Sequence, residues 1–352
     1  MSRAGVLAAA LVAAVVASAS PAIGAGGFEA RSARTSTTEM VAERPPQPAR
    51  RATAAADTVV GTGTPGSCTS RAVVRAVARG GVIAFDCGPD PVTIAMRRTA
   101  KVVNTSARVV IDGGGLVTLS GQGERRILYM NTCDPAQVWT TSHCNDQAEP
   151  ELVVRRLRFV DGNATGETTD GGGGGAIFVR GGRLKILDSM FIGNRCDRTG
   201  PDLGGGAVRV LDQHRDRPVV VRRSSFVGGR CSNGSALSSI GVSWRIVSST
   251  FTDNRALGRG ANPSRPGTPG GGSGGAIYLD GNAIHLELED STLTGNHARE
   301  GGGAIFFVSN DRTGTLTIRG SRLTDNPSDG FETLPGIFFL GASRTITDSV
   351  VR

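Results

Sequence analysis

The sequence predicts an all-β chain folded as a right-handed parallel β-helix, a three-sheeted solenoid closed by a short N-terminal capping helix. Two repeated patterns predict it. One is a set of columns that are apolar or small at fixed offsets, and the other is a Gly-Gly-Ala-Ile signature returning between them. A third observation agrees: Gly supplies 51 of 352 residues, about twice the usual ~7%, as a fold with many tight turns requires.

The columns are counted from six anchors, Phe159, Phe191, Phe226, Phe251, Leu293 and Leu323. Seven residues before each stand Leu152, Leu184, Val219, Trp244, Leu286 and Leu316, and five before stand Val154, Ile186, Val221, Ile246, Leu288 and Ile318. Two before are Leu157, Ser189, Ser224, Ser249, Ser291 and Ser321. Three after are Gly162, Asn194, Gly229, Asn254, Asn296 and Asn326, and five after are Ala164, Cys196, Cys231, Ala256, Ala298 and Ser328. Alternation at these offsets means two short strands with a bend between them. The third strand is the signature itself: Gly174-Gly-Ala-Ile177, Gly205-Gly-Ala-Val208, Gly274-Gly-Ala-Ile277 and Gly302-Gly-Ala-Ile305, with Gly234-Ser-Ala-Leu237 as a degenerate copy. Anchor spacing varies from 25 residues (Phe226 to Phe251) to 42 (Phe251 to Leu293), which a helical-repeat solenoid does not tolerate. The segments are also short, β-branched and Gly-punctuated.

Along the chain, residues 1–25 read as a secretory signal peptide: Arg3, the apolar run Val6 to Val16, then small residues around Ala17 to Ala19. No later stretch approaches the ~18 apolar residues of a membrane span. Residues 26–66, rich in Ala, Thr, Pro and Arg around Pro45 to Pro48, read as a flexible linker. The β-helix domain is expected over 67–352, with cap and first coils in 67–150 and repeat coils in 151–352. Val73, Val74 and Val77 share one side of a helix over Ser70 to Arg79, stopped by Gly80-Gly81. Strands are expected at Val82 to Phe85, Val92 to Met96, Val109 to Ile111 and Val117 to Leu119. Gly336-Ile-Phe338 and Asp348-Ser-Val-Val351 read as the start of a seventh coil with no cap after it, an open edge that invites self-association or a partner.

Stacking explains the uniform columns. Successive coils lie ~4.8 Å apart, so like must pack on like. Asn194, Asn254, Asn296 and Asn326 are expected to form an amide ladder. The six cysteines suit an oxidising compartment, and the expected pairs are Cys68 with Cys87, Cys133 with Cys144, and Cys196 with Cys231. The last pair shares a column in neighbouring coils, near ~5 Å, within disulfide range. No Cys-x-x-Cys spacing occurs and His is scarce, so no metal site or cofactor is expected.

These motifs resemble the right-handed β-helix proteins of the pectin-lyase-like superfamily. The pairing of Gly-Gly-Ala-Ile with Phe-x-x-Asn resembles the repeat of polymorphic outer membrane proteins. The resemblance spans roughly 68–352 and implies that the N-terminal helix plugs the solenoid's open end. It transfers no catalytic motif, because the superfamily includes polysaccharide lyases, glycoside hydrolases, adhesins and proteins of no known activity.

The net charge of +8 favours anionic partners or simple solubility. Nucleic acid is not expected, because the Arg residues are scattered without a dense block. Insertions fall between an anchor turn and the next signature, at 163–173, 195–204 and 255–273, and so emerge on one edge. Four residues after the anchors stand Arg195, Arg230, Arg255 and His297, a vertical cationic row suited to an acidic polysaccharide. The competing reading pairs them with Asp197, Asp253 and Glu300 or leaves them splayed into water. The expected function is thus a secreted or cell-surface recognition or structural module. The alternative is a calcium-dependent polysaccharide lyase or another carbohydrate-active enzyme, which requires clustered carboxylates beside an Arg or Lys base. Asp161, Asp253 and Asp325 share a column, but Gly193, Gly228 and Gly295 interrupt it, while Asp188 and Asp290 suit turn caps. Only two Trp and two Tyr occur, and Trp244 lies in a core column, so platforms for sugar stacking are sparse.

Overall fold

The computed structural model describes residues 56–168 and 171–352. The expected signal peptide and most of the expected linker lie outside the described residues. The linker's end is corrected: Thr58–Val60 is a strand, paired in parallel with Ile83 to Phe85. Val60 is buried in the core, and the sulfur of Cys68, bonded to Cys87, lies 3.4 Å from the Val60 carbonyl oxygen. Burial of that one valine ties down a stretch whose composition alone looked like linker.

Helix Ser70–Arg79 follows as expected. Thr69 caps it by accepting from the Ala72 amide, and Gly80 ends it at φ 79°. Its buried Val73, Ala76 and Val77 belong to the same core as the first coils, so the helix packs on that end of the solenoid.

Among the described residues the strands form three sheets of 17, 8 and 3 members. In the 17-stranded sheet the two predicted strands of each coil are joined around a bend. Val109 to Ile111 and Val117 to Leu119, expected as separate strands, run continuously as Arg108–Ser120, with a register shift between Asp112 and Val117. The 8-stranded sheet stacks the signature strands, pairing Ile177 with Val208, Val208 with Leu237, Leu237 with Ile277, Ile277 with Ile305 and Ile305 with Ile337. The chain is a parallel β-helix, and the seventh coil is present as Ile337–Leu340, Ser343–Thr347 and Val350–Val351. There Arg344 takes the place opposite Leu316 that earlier coils fill with apolar residues.

The anchors lie in register from Phe159 to Leu323, preceded by Leu119 and followed by Val351. Their rings stack at centroid separations of 4.9, 4.7 and 4.9 Å through Phe159, Phe191, Phe226 and Phe251. Such offset-stacked pairs contribute ~0.5–1.5 kcal/mol each beyond burial.

Two left-handed residues turn each of the six anchor coils, and the seventh coil repeats the first of them. Three before the anchor, Arg156, Asp188, Arg223, Ser248, Asp290, Gly320 and Asp348 all have φ between 46° and 56°. Two after it, Asp161, Gly193, Gly228, Asp253, Gly295 and Asp325 have φ between 51° and 67°. Gly and Asp are among the residues that enter this region most readily, which explains why they alone fill the second column. At the bend, the Ser189 hydroxyl donates to the Leu187 carbonyl, while the Ser189 amide donates to Ser224 Oγ of the next coil. Ser224, Ser249, Ser291 and Ser321 repeat both bonds. The serine column therefore continues the hydrogen-bond ladder where the bend would break it, a role beyond the close packing that its small size suggests.

Candidate functional site

The cationic row is a true column. Arg230 pairs with Arg255, and Arg255 with His297, in the 3-stranded sheet, while a parallel bridge joins Arg195 to Arg230. The next residue in each strand, Cys196, Cys231, Ala256 or Ala298, is buried, so by strand alternation the cations face outward. Cys196 and Cys231 are disulfide-bonded with Cα atoms 4.7 Å apart, and Cys133 is bonded to Cys144, which completes the expected pairing.

The row does not use the carboxylates proposed for it. Asp197 accepts from the Gly166 amide, and Glu300 is held by Arg265 (2.6 Å) and the Gly260 amide. Asp253 occupies its left-handed turn. Arg195 instead donates to the Gly123 carbonyl at 2.6 Å, and His297 Nε2 lies 2.9 Å from Asp329 Oδ1. The exposed side chains of Arg230 and Arg255 have no hydrogen-bond or ion-pair partner among the described residues.

The asparagine ladder is continuous over three coils. Asn254 Nδ2 donates to Asn296 Oδ1 and Asn296 Nδ2 to Asn326 Oδ1, both at 2.8 Å. Asn194 stands apart from it, which corrects the four-member expectation. Gly229 intervenes, and a Cβ there would lie 2.2 Å from the Ser235 carbonyl oxygen. Asn194 bonds instead to the Gly162 amide and the Phe159 carbonyl.

The insertions emerge on one edge and touch, the Gly200 amide donating to the Gly270 carbonyl. They fold down as a roof on the outer face of the 8-stranded sheet, over a column of Tyr129, Phe178, Arg209, Ser238, Tyr278 and Phe306, all buried. Each insertion is pinned by a polar bond that sequence reasoning missed. Arg126, its guanidinium 4.9 Å from the Phe178 ring centroid, donates to the Gly173 and Gly174 carbonyls. Arg209 donates to the Asp202 carbonyl and Ser238 Oγ, both at 2.5 Å. Burial pulls its guanidinium down to about 10, against smaller opposing contributions from Tyr278, Asp202 and Asp280. Asn262 donates to the Tyr278 hydroxyl, whose titration burial pushes well above its ordinary range. The Gly-rich stretch from Gly171 to Gly175 thus belongs to the roof and the signature strand.

The recurring carboxylates Asp161, Asp253 and Asp325, like Asp188 and Asp290, hold left-handed turn positions in separate coils. Among the described residues no three His, Cys, Asp or Glu side chains are grouped as a metal ion would need. None of the described helices is long and apolar enough to cross a membrane. Two clefts lie toward the N-terminal end. One, of about 550 Å³, is lined by Arg98, Lys101 and Arg125 beside the capping helix. The other, of about 420 Å³, lies between Asn104 and the loop that carries the exposed Trp139.

Compared with family models, the chain matches the Chlamydia polymorphic membrane protein repeat over residues 248–280 and 290–308. These stretches hold the anchors Phe251 and Leu293 and the signature strands that follow them. Searches of curated proteins and of solved structures return no match. The chain is therefore a disulfide-bonded parallel β-helix whose coils carry repeats like those of the polymorphic membrane proteins.

Proposed function

We propose that this protein is a surface-associated, extracytoplasmic recognition and structural module that binds an acidic polysaccharide along Arg195, Arg230 and Arg255. The observation that carries the reading is the stacked pair Arg230 and Arg255, in register and without side-chain partners among the described residues. Two like charges ~5 Å apart repel by roughly 0.8 kcal/mol even in water, and a chain of carboxylates or sulfates laid along the column relieves that repulsion. The polymorphic membrane protein repeat and the three disulfides support a surface location in an oxidising compartment.

The test is binding to immobilised polygalacturonate across a salt series. The Arg230→Ala/Arg255→Ala protein is expected to bind about 3- to 10-fold more weakly and to elute at lower salt, in line with ~0.2–1 kcal/mol per exposed ion pair. Unchanged retention overturns the proposal. The same incubation with calcium, monitored for unsaturated product absorbance, addresses the lyase alternative, for which accumulation of product would decide.

A further inference from the structure

We propose a second binding site, for a neutral sugar residue, in the cleft between Asn104 and the disulfide-closed loop that carries Trp139. Asn104, Thr105, Trp139, Gln147, Ala148 and Glu149 line about 420 Å³, within the range of small-ligand sites. The loop is firmly built. Cys133–Cys144 closes it, the Asp134 side chain caps its short helical turn by accepting from the Ala136 amide, and the Thr140 hydroxyl donates to the Thr132 carbonyl. On this frame Trp139 is 46% exposed, although an indole held on a rigid loop ordinarily packs inward.

The second observation is Asn104. It is 2% exposed, and its Nδ2 donates to the carbonyls of Trp139 (2.7 Å) and Asp134 (3.4 Å). Those two acceptors fix the orientation of the amide, because a flipped side chain would set oxygen against oxygen. Its Oδ1 has no donor among the described residues and is itself enclosed, so Asn104 serves the site by holding the Trp139 loop in place beside the cleft. A ligand suited to the cleft has an apolar face for the indole and hydroxyls for the polar residues Thr105, Gln147 and Glu149 that line it. A pyranose ring has both. Among the described residues that line the cleft the one ionisable group is the Glu149 carboxylate, which disfavours an acidic sugar. The site is therefore complementary to the cationic row, not an extension of it.

The probes are cellotetraose, chitotetraose, maltotetraose and tetragalacturonate, added to the full-length protein while tryptophan emission is followed. The reporter is selective, since the other tryptophan, Trp244, is buried and donates to Ser239 Oγ. A saturable blue shift is expected with at least one neutral tetrasaccharide and none with tetragalacturonate. By calorimetry Asn104→Leu and Trp139→Ala should each weaken binding at least tenfold. Trp139→Ala alters an exposed side chain and keeps the test valid if Asn104→Leu loosens the loop. Arg230→Ala/Arg255→Ala should leave this binding unchanged, separating it from the polyanion proposal. No shift with any neutral probe, equal binding of tetragalacturonate, or unaltered affinity in Trp139→Ala overturns the inference.

Discussion

Replacing Asn296 by Ala removes four side-chain hydrogen bonds from the ladder. Its Oδ1 accepts from the amide and Nδ2 of Asn254, and its Nδ2 donates to the Phe251 carbonyl and Asn326 Oδ1. The residue is fully buried, so water cannot replace these partners. At a net ~1 kcal/mol per bond the loss is about 4 kcal/mol. Asn194, equally enclosed but separated from the ladder by Gly229, makes two such bonds, and Asn194→Ala should cost about 2 kcal/mol by the same scale. Guanidinium unfolding of both variants, with slopes compared to wild type, measures the pair. An Asn296→Ala cost no larger than that of Asn194→Ala would refute the claim that amides bonded from coil to coil stabilise this turn.

Other perturbations address other parts of the fold. Cys196→Ser/Cys231→Ser opens a link of sequence separation 35, and the chain-entropy estimate of about 4 kcal/mol predicts a clear fall in the denaturation midpoint. Asp112 is held below its ordinary carboxyl range: burial pushes it up, but Arg156, the Gly114 amide and Arg155 outweigh burial. A depressed folded value means stability that is present above the unfolded value near 3.8 and lost as pH falls through the folded one. The stability gap between wild type and Asp112→Asn, followed by thermal melts, should be full at neutral pH and close below about pH 4. Arg209→Met should change global stability by less than ~1 kcal/mol, because an apolar side chain of similar size replaces a buried charge. Amides at 200–204 should nevertheless exchange faster in deuterium, having lost the bond to the Asp202 carbonyl.

The fold was legible because stacking forces repetition. Ile177, Val208, Leu237, Ile277 and Ile305 occupy one physical position five times, so even irregular insertions could not hide the period. The cationic row was legible on the same ground, since offsets from an anchor become heights in a column. What escaped has no period. Arg126 and Arg209 are each buried once, under loops of different length, and nothing marks them apart from the exposed arginines. Trp139 lies in a loop before the first anchor, where no column exists to say whether it faces inward. The turn aspartates show the converse hazard: a recurring carboxylate resembles chemistry until its φ shows that the backbone selects it.

The central claim is coil-to-coil register, and cross-linking tests it most directly. Thr252 pairs with Thr294 across neighbouring coils, whereas Thr250 pairs with Thr292. Under mild oxidation Thr252→Cys/Thr294→Cys should close within minutes to a disulfide found by peptide mapping, because registered parallel neighbours lie ~4.8 Å apart. Thr252→Cys/Thr292→Cys, displaced by two residues, should remain reduced. Equal closure of the two pairs, or closure of the displaced pair alone, would contradict the stacked-coil account.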